Sequence, residues 1–294
     1  MAEEHPVEWV RNPVEWTGNQ LAHAAHALGA AGHSLHHIQE TLHSPAPAVW
    51  KIRTQDVWDV LAKGFKDFGA FRTDVIFICA VYPVVGLLLG KLTFGYHALP
   101  LLFPLISGFA LIGPVACVGL YEMSRQHERG NRVTFATSFG VFRAPAIGAI
   151  VMLGLLLTTI FLLWMVAAWE IYRVTLGPEF PTSVSAFVRD IFTTPAGLTM
   201  VVVGVSVGFL FALAAMAIST VSFPLLLDRD VGLDTAIRTS VRAVAANPVP
   251  MALWGMIVAG GLVIGSIPLF LGLIVVVPVL GHATWHLYRK LVPR

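Results

Sequence analysis

The chain has 294 residues, 56% of them hydrophobic and only 12% charged, with a formal net charge of +2. Soluble domains carry about twice that share of charge, so the composition excludes an ordinary soluble domain, and the small net charge argues against a nucleic-acid partner. The apolar residues lie in long runs, so the lipid bilayer is the partner the composition names. The acidic start MAEEHPVEW carries no charged-then-apolar leader pattern.

PVEW occurs at Pro6–Trp9 and again at Pro13–Trp16. The seven-residue repeat continues through Val14, Leu21, Leu28, Leu35 and Leu42, with Thr17, Ala24, Ala31 and Ile38 in the second seam position. Asn12-Pro13 with Glu15 supplies a helix start. The spacing predicts a cytoplasmic amphipathic helix from about Pro13 to Leu42, its seam docked on a protein partner. The opposite face holds His23, His26, His33 and His37, with Glu40 beside them. His33 and His37 are four apart, a spacing at which two imidazoles reach one metal; a solvated polar face is the alternative. Ser44-Pro45-Ala46-Pro47 ends the arm as a stiff linker, so residues 1–53 form one unit and 54–294 a membrane domain.

Thr54 to Phe71 reads as an amphipathic helix capped by Thr54. Its apolar stripe is Val57, Leu61, Phe65 and Phe68, and Lys63 and Lys66 suit anionic headgroups. Six apolar spans follow, at about 75–92, 98–121, 144–169, 197–226, 249–267 and 269–288; each approaches or exceeds the roughly 20 residues needed to cross a bilayer. The fold class is therefore all-α, a polytopic membrane protein. The division at Ser266-Ile267-Pro268 demands a very tight turn. Cys79 and Cys117 fall inside apolar runs without a CxxC spacing and read as buried hydrophobes.

Sixteen of the nineteen lysines and arginines fall on one side of this arrangement; Lys91, Arg173 and Arg189 are the others. The positive-inside rule then puts both termini in the cytoplasm of a bacterial inner membrane. Trp169 and Tyr172 mark an outer end, and Trp285 and Tyr288 an inner one. Between the third and fourth spans, Ser183 to Phe192 predicts a short surface helix, and Thr194-Pro195 a cap for the fourth span.

The stretch SFPLLLDRDVGLDTAIRTSVRAVAANPVPM, Ser222 to Met251, has the layout of a span, a charged turn, a surface helix and a second span. Looser copies upstream predict three units of surface helix plus helical hairpin. The surface helices would be Thr54–Phe71, about Asn131 to Phe142, and about Leu233 to Ala245.

No Asp, Glu, Lys or Arg lies inside a span core, which argues against a proton-driven pump. His282 and His286, four apart in GHATWHLYRK, are candidates for ligating haem, a pigment or a metal; bonding to Glu122, Asp228 or backbone is the alternative. Asp228, Arg229, Asp230, Arg238 and Arg242 read as a charge network fixing the loop, or as a site for an anionic headgroup. Proline-rich spans leave room for a channel or carrier of a small neutral or amphiphilic molecule. No phosphate loop, GxSxG or HExxH is present. The expected function is that of a non-enzymatic accessory, assembly or scaffold subunit, with no catalytic residues assigned.

FPLLLDRDVGLDTAIRTSVRAVAANPVPMALWGMIVAG and the closing VVPVLGHATWHLYRKLV are similar to a family of predicted bacterial integral membrane proteins of unknown function. The resemblance runs from about Ile52 to the end and implies a membrane location. Some members carry the label cytochrome c oxidase subunit I. That subunit needs many more spans and a full set of intramembrane histidines, whereas only His282 and His286 lie near a span here, so no catalytic residue carries over.

Overall fold

The computed structural model describes residues 45–79 and 99–294. The predicted N-terminal helix, with its histidines and leucine seam, and most of the first predicted span lie outside the described residues. Among the described residues every regular element is a helix: α1 (Thr54–Cys79), α2 (Leu102–Ala116), α3 (Val118–Glu128), α4 (Ile147–Thr175), α5 (Val184–Thr193), α6 (Pro195–Ser219), α7 (Ser222–Asp228), α8 (Leu233–Ala246), α9 (Pro248–Ser266) and α10 (Leu273–Leu291). Short 3₁₀ segments occupy Leu99–Leu101 and Phe135–Arg143.

Three runs are long and apolar enough to cross a membrane: Ile147–Thr175, Pro195–Asp228 and Pro248–Ser266. They correspond to the third, fourth and fifth predicted spans. Their starts follow local chemistry. Thr194 accepts the Gly197 N–H at 3.0 Å, with Pro195 at the first helical position, a cap contributing about 1 kcal/mol. Ser183 does the same for α5, accepting from Ala186 N–H at 3.1 Å.

The second predicted span is divided. Pro114, inside α2, has no N–H to give, and the helix pauses at Cys117 before α3 resumes. The tight turn before the last helix occupies 267–272, where Leu269 and Phe270 adopt positive φ (52° and 66°). It closes because Gly265 and Gly272 meet backbone to backbone: a Cβ on Gly272 would sit 2.7 Å from Gly265 Cα.

The three predicted units differ from one another. In the third, α8 is a separate helix whose Leu233, Ile237 and Val244 pack partly against the core, with Ser240 fully buried. In the second, the short helix is 3₁₀. In the first, no turn separates the predicted surface helix from the span: Thr54–Cys79 is one rod, about 39 Å long at 1.5 Å per residue. Its start also differs. Thr54 is the first helical residue rather than the cap before it, and the Asp56 carboxylate reaches back to accept the Arg53 N–H at 2.8 Å.

That rod packs along α10 in antiparallel sense. Asp56 meets Lys290, while Gly64 meets Val279 and Ala283 further back along α10. The buried face of α1 is Val57, Val60, Gly64, Asp67 and Phe71, spaced three and four apart. This rotates the expected stripe: Leu61 and Phe68 are half-buried, and Phe65 is 55% exposed. A Cβ on Gly64 would lie 2.5 Å from the Val279 carbonyl oxygen, so glycine alone permits this approach.

α10 sits at the centre. Trp285, Leu287, Tyr288 and Leu291 are fully buried. Trp285 and Tyr288 are therefore core residues rather than interfacial anchors at an inner end. α6 is the opposite case: it is apolar throughout, yet buries only Gly197, Ala215 and Ser219.

Candidate functional site

The polar half of α10 is buried against α1, α3 and α7, and of the candidate site residues His282, His286 and Asp228 meet there. His282 is fully buried. Its Nδ1 lies 2.8 Å from Ser124 Oγ on α3. Ser124 Oγ in turn lies 2.8 Å from Asp67 Oδ2 on α1, and the same oxygen meets His286 Nε2 at 2.9 Å. One hydrogen-bonded chain thus runs His286–Asp67–Ser124–His282 across three helices.

Donor counting fixes the proton positions. An ionised carboxylate only accepts, so the single hydroxyl proton of Ser124 goes to Asp67. Ser124 must then accept from His282 Nδ1–H. His282 Nε2 is buried and makes no hydrogen bond within 3.5 Å, with the Leu120 backbone beside the ring. His286 spends its Nε2 on Asp67 and retains 17% side-chain exposure. The two histidines therefore do not converge on one point. Among the described residues no group of three or more His, Cys, Asp or Glu side chains is placed to share a metal ion.

Burial raises the proton affinity of the Asp67 carboxyl, but the hydrogen bond and charge of His286, with the hydrogen bond from Ser124, bring it below its ordinary 3.8. The residue is only 4% exposed. The sequence pattern gives it no site character, because it falls on a predicted surface helix one residue from the expected stripe. The discernible signal was Val57-Val60-Gly64-Asp67-Phe71, a face at helical spacing on which one carboxylate replaces an apolar residue. Ser124, among polar neighbours in EMSRQHE, carried no such signal.

Glu122 and Asp228 do not serve the histidines. Glu122 accepts from Arg125 at 2.7 and 2.9 Å and from Gln126 at 2.5 Å. Arg125 also donates to the Leu227 carbonyl at 2.8 Å, tying α3 to α7. The buried Asp228 side chain accepts from Tyr288 Oη at 3.0 Å and faces Arg129, Arg289 and Arg294 at 3.7–3.8 Å. Glu128 accepts from Trp285 Nε1 and Arg289 Nε, both at 3.0 Å. Arg229 caps the end of the chain at the Pro293 carbonyl, 2.6 Å away. Arg238 pairs with Asp234 on its own helix. Asp230 and Arg242 are exposed.

A second knot lies at Asn247, only 2% exposed. Its Oδ1 accepts the Ile52 N–H at 2.7 Å, and its Nδ2 donates to the carbonyls of Trp50 and Ala243 at 3.1 and 2.9 Å. Trp50 N–H donates to the Leu291 carbonyl at 2.8 Å. The segment before α1 is thereby strapped across the end of α10.

Within the apolar part, a cleft of about 220 Å³ opens between α2, α4 and α6, lined by Phe103, Ser107, Trp164, Val205, Phe209 and Ala212. Ser107 is satisfied there, donating to the Pro104 carbonyl at 3.0 Å and accepting from Trp164 Nε1 at 3.1 Å. The walls are otherwise carbon and suit an acyl chain.

No curated protein and no solved structure matches the chain. The family match is narrower than the resemblance in the sequence. It contains Glu122, Ser124 and Asp228 and leaves out Asp67, His282 and His286. The chain is an integral membrane protein with apolar helices: residues 101–228, α2 to α7, match the model of the family described as "Predicted integral membrane protein (DUF2189)", a membrane family of unknown function.

Proposed function

We propose that this chain is a non-enzymatic subunit of a complex in the bacterial inner membrane, with an accessory, assembly or scaffold role and both termini cytoplasmic. The observation that supports this reading is α6. A helix that is apolar all round and buries three of its own residues offers its remaining surface to lipid and to helices of other chains. At the other end, ion pairs and buried hydrogen bonds hold α1, α3, α7 and α10 to one another, as a rigid support requires. The N-terminal arm, with Val14, Leu21, Leu28, Leu35 and Leu42 in its seam, is the docking element for the partner. Purification of the full chain in mild detergent, with mass spectrometry of what accompanies it, tests the reading. A single lone species overturns it. Deleting residues 1–47 abolishes co-purification; an unchanged complex overturns the docking role of the arm.

A second reading has one observation in its favour, the partnerless Nε2 of His282. A histidine whose other ring nitrogen is fixed through Ser124 to Asp67 is oriented as metal- and haem-ligating histidines are. An absorption spectrum and metal analysis of the protein as purified test it. A colourless, metal-free preparation removes His282 from consideration, and with it a cofactor role for this chain.

A further inference from the structure

The face of α1 that does not touch α10 has a pattern of its own. Trp58 and Phe65 are 50% and 55% exposed among the described residues, and Leu61 and Phe68 beside them pack only partly on the core. The spacing 58-61-65-68 is three, four, three, the alternation by which one helix offers a seam to another. Four apolar side chains, three of them aromatic, thus form a half-open seam next to the buried one.

The sequence holds a second seam in the arm, ending at Leu42, sixteen residues before Trp58. In the arm, Leu21 and Leu28 are each followed three residues on by a small residue, Ala24 and Ala31, and Leu35 by the larger Ile38. The small Ala31 leaves room for a phenylalanine from the facing helix, while Leu35, Ile38 and Leu42 offer aliphatic surface to the aromatics nearer the linker. The connection is short, and its second half is tied down at Trp50 and Ile52. The arm therefore leaves the membrane domain beside the first turn of α1, and a helix doubling back there meets Trp58 first. Tethering by a linker this short puts the two seams at millimolar effective concentration.

We propose that the last heptads of the arm, Leu28, Leu35 and Leu42, pack in antiparallel sense on Trp58, Leu61, Phe65 and Phe68 of α1 when no partner is bound. The contact covers both seams in the isolated protein. It rests on the docking reading of the arm and adds a regulation to it: a partner competes with α1 for the same leucines, while Val14 and Leu21 reach past the end of the contact and give it a first hold.

The test uses the full chain in lipid nanodiscs, with Cys79 and Cys117 replaced by alanine. Leu35→Cys combined with Phe65→Cys is treated with a short bifunctional maleimide and compared with His33→Cys combined with Phe65→Cys, which starts from the opposite face of the arm. The seam pair is expected to join within one chain about ten-fold faster than the control. Deleting residues 1–47 from the Phe65→Cys protein is expected to raise its alkylation by a water-soluble maleimide by a similar factor. Equal rates for the two pairs overturn the proposal. So do products joined between two chains, which make a second copy the occupant, and alkylation that is slow with or without the arm, which makes it lipid. Co-purification of a partner is scored separately on cysteine-free protein. A fast seam pair beside an unchanged complex sinks the partner role alone, and equal rates beside a lost complex sink the α1 contact alone.

Discussion

Replacing Asp67 by alanine tests whether the relay holds α1, α3 and α10 together. The carboxylate accepts from Ser124 and from His286, at 2.8 and 2.9 Å, and the residue is 4% exposed. A buried hydrogen bond to a charged group contributes about 1.5–3 kcal/mol. Removal also strands the Ser124 hydroxyl, although His286, at 17% side-chain exposure, recovers a bond to water. The expected loss is about 3 kcal/mol, toward the lower end for a broken buried pair. His286→Ala removes one of the two bonds and is expected to cost about 1–2 kcal/mol. The double variant should fall short of the sum by about 1 kcal/mol, because the two residues share one bond. Unfolding is followed by titrating a denaturing detergent into protein held in mild detergent micelles. Asp59→Ala is the control, because that carboxylate is 48% exposed and only 3.6 Å from Lys290; its loss is expected to stay within about 0.5 kcal/mol. An Asp67 variant no weaker than the Asp59 variant, or a strictly additive cycle, would refute the relay as a structural tie.

Gly64→Ala places a Cβ 2.5 Å from the Val279 carbonyl and 2.8 Å from Ala283 N; two backbones must separate, so the thermal midpoint falls. Gly69→Ala, which meets nothing within 4 Å, leaves it unchanged or raises it slightly through helix propensity, by up to about 1 kcal/mol. Asn247→Ala strands the Ile52 N–H and the Trp50 carbonyl. It is expected to cost about 2 kcal/mol and to open the segment before α1 to proteolysis; undiminished protease resistance would argue against the strap. For Asp56, the Lys290 hydrogen bond and then the Arg53 N–H hold the carboxyl below its ordinary 3.8. A depressed carboxyl stabilises the fold above the unfolded value and loses that contribution as pH falls through the folded one. The advantage of the wild-type chain over Asp56→Asn should therefore be constant from neutral pH down to about 4 and vanish below it; a difference that persists in stronger acid contradicts the pairing.

The parts of this fold that were legible in the sequence are those decided by local chemistry. Thr194-Pro195 and Ser183 announce their helices because a cap needs only neighbours in the chain. The apolar runs 144–169 and 249–267 announce theirs because hydropathy is a sum over adjacent residues. The α1 face was misplaced because it depends on what lies opposite. Gly64 means little until the Val279 carbonyl is found against it, and Asp67 looks like a surface charge until Ser124 and His286 arrive from residues far away in the chain. The division of the second span at Cys117 had a local sign in Pro114, but proline is tolerated inside membrane helices often enough that the sign alone does not decide.

The polar residues of α10 explain why a helix so central is only half apolar. Hydrophobic burial along Leu273–Leu280 is nearly indifferent to a slide or a rotation of that helix, because one aliphatic side chain replaces another at small cost. The second half removes that freedom, since five of its polar side chains each find a partner on a particular other element. His286 and Lys290 reach α1, His282 and Trp285 reach α3, Tyr288 reaches α7, and the Leu291 carbonyl takes the strap at Trp50. Moving α10 by one residue, about 1.5 Å along and 100° around, would break all of these bonds at once. Directional bonds are therefore expected where greasy helices must be told apart, and α10 has them on the half where α1, α3, α7 and the strap converge.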